Sequence, residues 1–142
     1  MGKRILVPVD SSEQAKEACE FVRSEFPEAT IVLLHVINPT EAGYSAQASI
    51  PSFSEEWYEQ QQATAEQLFD ELIGGLDTTE TGVERVVEVG RPTNVIVDYA
   101  DDHDIDQVVM GSHGRSGVSR ILLGSVAETV VRRASVPVTV AR

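Results

Sequence analysis

The 142-residue sequence predicts an α/β fold: a doubly wound, mainly parallel five-stranded sheet with helices on both faces. Three observations predict it. Strand and helix signals alternate along the whole chain in the order β-α-β-α-β-α-β-α-β. The strands read as nearly unbroken apolar runs, as strands covered on both faces must. A glycine-rich stretch, Gly111 to Ser125, joins a strand to a helix start, the place where such folds hold anions.

The elements follow in order. Arg4–Val9 is a buried-strand pattern. Asp10-Ser11-Ser12 opens a helix, with Ser11 and Gln14 spaced as a capping box. Ala15, Ala18, Cys19, Val22 and Phe26 recur at helical spacing, and Pro27 helps to end that helix. Thr30–Ile37 is rich in β-branched residues and reads as the second strand. Asn38–Ser54 is polar and punctuated by proline, which predicts a loop. Glu55–Leu76 carries Tyr58, Ala65, Leu68, Phe69, Leu72, Ile73 and Leu76 as one helical stripe. Val83–Val89 is the third strand, and Pro92 suits the first turn of a helix bearing Val95, Ile96, Tyr99 and Ala100. Asp106–Gly111, Ser125–Ala134 and Val136–Ala141 are the fourth strand, last helix and last strand. Neither an internal repeat nor a linker divides residues 1–142, so one domain is expected.

In such sheets ligands bind beyond the carboxyl ends of the strands, where the strand order reverses. Two segments can meet there: Pro8-Val9-Asp10 after strand 1, and the glycine loop after strand 4. Glycines let backbone N–H groups approach an anion, and a helix start adds unpaired donors and a partial positive charge. The loop is neither a Walker A sequence nor a G-x-G-x-x-G turn. Ser125 and Glu128 are also spaced as a capping box.

Charge is unevenly spread. The net charge is −12, yet residues 107–142 hold five arginines and one acid, Glu128, while residues 1–106 hold 6 Lys and Arg against 22 Asp and Glu. Arg115 and Arg120 lie inside the glycine loop. A local positive field in an acidic chain favours a small anion and argues against a nucleic-acid groove, which needs a broad basic face. Lysine occurs only at positions 3 and 16, an acid-rich, lysine-poor balance that suits concentrated salt. No apolar stretch approaches the roughly 18–20 residues that span a bilayer. The apolar run at Ile5–Val9 is too short for a secretory signal, and the single Cys19 cannot form an internal disulfide, so a cytoplasmic location is expected.

The chain resembles the universal stress protein family over nearly its whole length. The resemblance rests on Ile5-Leu6-Val7-Pro8-Val9-Asp10, Leu33-Leu34-His35-Val36, Gly90-Arg91-Pro92 and Val109-Met110-Gly111-Ser112-His113-Gly114. Leu122-Leu123-Gly124-Ser125-Val126-Ala127-Glu128 and the terminal Val136-Pro137-Val138 complete it. The ATP-binding branch of that family spaces glycine, two residues, glycine, nine residues, then glycine and Ser or Thr. Gly111, Gly114, Gly124 and Ser125 fit that spacing.

The resemblance implies a Rossmann-like, adenine-nucleotide-hydrolase-like fold and an ATP site, with ADP or AMP as other occupants. It assigns Pro8, Val9, Val36 and Met110 to the walls of an adenine pocket and Asp10 to the ribose hydroxyls. It assigns Gly111, His113, Gly114 and Arg115 to the phosphates and ribose, and Gly124, Ser125, Val126 and Ala127 to the phosphates at the helix start. Ala127 departs from relatives that carry a hydroxyl there. Mg²⁺ or Mn²⁺ is expected through the phosphates. The implied function is an ATP-binding stress-response regulator that signals by conformational change to a protein partner; a slow Mg-dependent ATPase and a nucleotide-free dimeric scaffold are the alternatives. Relatives pair the last strand across a two-fold axis, so a homodimer through residues 136–141 is expected. His35 reads as a hydrogen-bonded core histidine, and His103 as a solvated helix-end group.

Overall fold

The computed structural model describes residues 2–10, 13–39, 55–74, 82–111 and 124–141. Nine elements run in strict alternation: β1 (Arg4–Pro8), α1 (Glu13–Glu25), β2 (Thr30–Ile37), α2 (Glu55–Gly74), β3 (Val83–Val89), α3 (Pro92–Asp102), β4 (Gln107–Gly111), α4 (Ser125–Arg133) and β5 (Val138–Ala141). The sheet order is β3-β2-β1-β4-β5. Every neighbouring pair is parallel. The doubly wound fold expected from the sequence is therefore the fold observed.

Period-two alternation sorts the strand side chains onto two faces. Ile5, Val7, Ile31, Leu33 and Val109 join Ala15, Ala18, Cys19 and Val22 of α1 and Ala65, Phe69 and Leu72 of α2 in one buried cluster. Leu6, Val32, Leu34, Val108 and Met110 join Ile96, Val97, Tyr99 and Ala100 of α3 and Ala127 and Val130 of α4 in the other. Thus α1 and α2, which carry the chain outward from β1 to β3, share one face. The helices α3 and α4, which carry it back through β4 to β5, share the opposite face. All four crossovers consequently have the same hand.

Strand ends differ from the sequence expectation by one or two residues, each for a backbone reason. β1 stops at Pro8, which has no N–H to donate, although Val9 still donates to the Leu34 carbonyl at 2.9 Å. β4 starts at Gln107, because Asp106 serves as a clasp instead: its N–H donates to the Arg4 carbonyl at 2.9 Å, and its Oδ2 accepts the Arg4 N–H at 2.8 Å. β5 starts at Val138, past Pro137, whose carbonyl accepts the Val108 N–H at 2.9 Å. Gly90 closes β3 with φ at 152°, where a Cβ would lie 2.9 Å from a Val95 methyl, so glycine alone makes the turn into α3. Pro92 then begins α3, where its missing N–H costs nothing. The Ser11 half of the first capping box, the loop from residue 40 to 54, and Leu76 lie outside the described residues.

Ion pairs gather on the surface. Arg85 of β3 meets Glu66 at 2.9 Å and Asp70 at 2.8 Å on α2, and these carboxylates raise its pKa. Arg4 of β1 pairs with Glu84 of β3 across the intervening β2. Among the described residues, no helix is long and apolar enough to cross a membrane.

Cys19 is fully buried on the inner face of α1, in keeping with a packing role. Burial, with a smaller contribution from the Glu20 carboxylate, pushes its thiol from 9.0 up to about 12. The folded protein holds the thiol protonated at pH values where the unfolded chain ionises. The associated stability is complete below pH 9.0 and is lost as pH rises toward about 12. Iodoacetamide at pH 8.5 is expected to label Cys19 only after denaturation, as read by mass spectrometry. Rapid labelling of the native protein would show that α1 does not shield it.

Candidate functional site

The order of the strands sets the site. β1 and β4 are neighbours at the centre of the sheet, and the chain leaves them toward opposite edges and opposite faces. Sheets of this class bind ligands at such a reversal, beyond the carboxyl ends of the two strands. The strand ends that lead into the two segments singled out from the sequence lie side by side at this reversal. Continuing the pairing of Ile5 with Gln107 and Leu6 with Val108 puts Pro8 level with Met110, and Val9 level with Gly111.

The predicted wall residues divide between the faces. Met110 is buried in the α3/α4 cluster, and Val36 and Val126 pack against it. Pro8 lies on that face by alternation from Leu6. Val9 does not: its side chain belongs to the α1/α2 cluster. Pro8, Val36 and Met110 thus share the α3/α4 face, and the Val9 side chain lies on the other. The Val9 backbone is held twice, by the N–H bond to Leu34 and by a contact of 3.1 Å between its carbonyl and Nδ1 of His35. Asp10, half-buried, follows directly.

The start of α4 supplies donors. Its N-cap is Gly124, with extended backbone (φ −65°, ψ 159°) and no side-chain cap. The Glu128 N–H makes a helical bond to the Gly124 carbonyl at 2.9 Å. The N–H groups of Ser125, Val126 and Ala127 precede it and have no partner within the helix. They carry the positive end of the helix dipole. The capping box expected of Ser125 and Glu128 is not formed. Ser125 is the first helical residue rather than the cap, and the Glu128 carboxylate turns down the helix to Arg132 at 2.6 Å. Ala127 is buried in the α3/α4 cluster, so its methyl packs and only its N–H can serve a ligand.

Two of the five arginines behind the expected positive field do other work. Arg132 pairs with Glu128, and Arg133 donates to Oδ1 of Asn94 at 2.9 Å. Both sit in the last turn of α4, where they complement its negative end. The other three are Arg142 and, within the glycine loop, Arg115 and Arg120. Those two arginines, with His113 and Gly114, lie outside the described residues. Among the described residues, no group of three or more His, Cys, Asp or Glu could hold a metal ion.

The model of the universal stress protein family matches residues 1–142. The chain belongs to the universal stress protein family. Universal stress protein MJ0577 of Methanocaldococcus jannaschii is 31% identical over 157 residues, spanning 100% of this chain and 96% of that protein. The solved structure of MJ0577 superposes with a TM-score of 0.84 at 33% identity, covering 99% of this chain and 96% of that one. Three more distant family structures share the fold with bound nucleotides. One is a complex with cAMP (21% identity, TM-score 0.64), covering 100% of this chain and 98% of that one. One is the Archaeoglobus fulgidus protein with dAMP (21%, 0.66), covering 99% and 98%. One is an Arabidopsis thaliana protein with AMP (22%, 0.69), covering 98% and 90%.

Two features of the site escaped sequence reasoning. His35 does not simply fill the core; it is half-buried and braces the strand end beside Asp10. The signal was present, as His35 is the one ionisable residue in the apolar run Thr30–Ile37. Gly111, read as a ligand-facing glycine, also has a packing role. A Cβ there would stand 2.4 Å from the Gln14 Cβ and 3.0 Å from the Gln14 carbonyl oxygen. The end of β4 thus lies directly against the first turn of α1. Gly111→Ala is expected to destabilise the protein by about 1–3 kcal/mol, because both sides of that contact include backbone. Urea unfolding midpoints measure it, and an unchanged midpoint would show that α1 stands clear of β4.

Proposed function

We propose that this universal stress protein binds an adenine nucleotide, ATP above all, at the carboxyl edge between β1 and β4. In this reading it acts as a regulatory binding protein. What carries the proposal is the uncapped start of α4, the helix that follows β4, together with the reversal of strand order between β1 and β4. A triphosphate needs donors, a ribose diol needs a carboxylate, and a purine needs an apolar slot. The backbone N–H groups of Ser125, Val126 and Ala127 supply the first, Asp10 the second, and Pro8, Val36 and Met110 the third. Gly111, His113, Gly114 and Arg115 complete the cradle as the family spacing implies. The nucleotides bound by family members support the ligand class. Mg²⁺ or Mn²⁺ would enter on the phosphates, neutralising charge that the helix dipole and the arginines only partly offset.

The protein denatured straight from purification is expected to release ATP, ADP or AMP, detected by mass spectrometry. Added ATP with Mg²⁺ at 100 times its Kd should stabilise the fold by about 2.7 kcal/mol in a thermal-shift titration. Gly124→Val should abolish that shift while leaving the fold intact. Absence of any shift with ATP, ADP or AMP, at low salt and in molar KCl, would overturn the reading.

The homodimer belongs to the same proposal. β5 is an edge strand, and its Val138, Thr139 and Val140 are only half-buried. An open apolar edge calls for a partner, and a second copy of β5 satisfies it by symmetry. Light scattering should report a dimer, and a monomer at working concentration would contradict it. The acid-rich, lysine-poor composition fits a cytoplasm of high salt, with the nucleotide state read by a further protein.

A further inference from the structure

We infer that His35 is a positioning residue for the nucleotide site, acting through the Val9 carbonyl to aim Asp10. The inference rests on the reading of Asp10 as the ribose ligand. The Val9 carbonyl and the Asp10 N–H are two ends of one planar peptide unit, so whatever fixes the carbonyl fixes the direction in which Asp10 leaves the strand. The regular ladder cannot do this unaided. Pro8 offers no N–H, β1 ends there, and the Val9 N–H to Leu34 bond holds only the preceding peptide. The next hold is the ring of His35, with Nδ1 at 3.1 Å from the Val9 oxygen.

The chemistry of that bond is specific. A carbonyl oxygen only accepts, so Nδ1 must carry the proton. Leucine or phenylalanine at position 35 would fill similar space and remove that bond. Asparagine places an amide N–H near the position of Nδ1 and preserves the bond. The side chain also occupies a particular place in the sheet. Leu34 and Val36 face the α3/α4 side, where the proposed purine slot includes Val36, so His35 between them projects to the other side. One short run of β2 thus shapes the slot with Val36 and steers the carboxylate beside it with His35.

Two measurements on the full chain test this. Amide hydrogen exchange of Val9 and Asp10, without nucleotide, should be about tenfold faster in His35→Leu and near wild type in His35→Asn. Binding of ATP and of 2′,3′-dideoxy-ATP should show the second effect. His35→Leu should lose about tenfold in ATP affinity, with the preference for ATP over the dideoxy form falling toward one, while His35→Asn keeps both. Loss of folding alone would weaken the two nucleotides equally, so the ratio separates aiming from stability. Unchanged exchange in His35→Leu, or an unchanged ratio in a variant that does bind, overturns the inference. A wild-type protein that binds neither nucleotide overturns the reading of the site instead, and the exchange arm then decides by itself whether His35 holds the strand end.

Discussion

Everything in this molecule depends on the parallel pairing of β1 with β4 at the centre of the sheet. It places a strand from the start of the chain against one from its last third. Because α1 and α2 cover one face and α3 and α4 the other, the chain departs from these two strands in opposite directions. A parallel sheet must be buried on both faces, and the helices that bury it leave only its carboxyl edge accessible at the reversal. The candidate site thus lies where the closing of the core reverses the order of the strands.

Around that site, backbone contacts matter more than side chains. Gly111 brings β4 against Gln14 of α1, and Gly124 leaves the first turn of α4 without a cap. Leu34 and His35 pin Val9 from β2. Each of these contacts fixes a peptide group at the end of a strand or the start of a helix. The same economy explains Ala127, whose methyl belongs to the core while its N–H points the other way. A helix N-terminus needs only its backbone to attract an anion.

The charges divide the labour differently from their distribution in the sequence. A strongly acidic chain with a basic end reads as a field aimed at one place. In the fold, Arg132 and Arg133 complement the far end of α4, and Arg4 and Arg85 tie strands and helix to carboxylates on the surface. Exposed pairs of this kind contribute little individually to stability.

Much of this could be read from the chain because it depends on local periodicity. The apolar runs at Ile5–Val9 and Thr30–Ile37, the stripe from Ala65 to Leu72, and Pro92 at a helix start each determine their own element, since strand and helix repeats place side chains on faces without reference to distant residues. The strict alternation of elements determined the doubly wound class. Three matters were decided only by tertiary structure. Val9 lies on the opposite face from Pro8 and Met110, because a one-residue shift reverses a side chain's side. Glu128 pairs with Arg132 instead of closing a capping box, because the cap fell on Gly124. His35 and Gly111 acquire their roles from Val9 and Gln14, residues 26 and 97 positions away, and no local pattern records a contact that exists only once the sheet has closed.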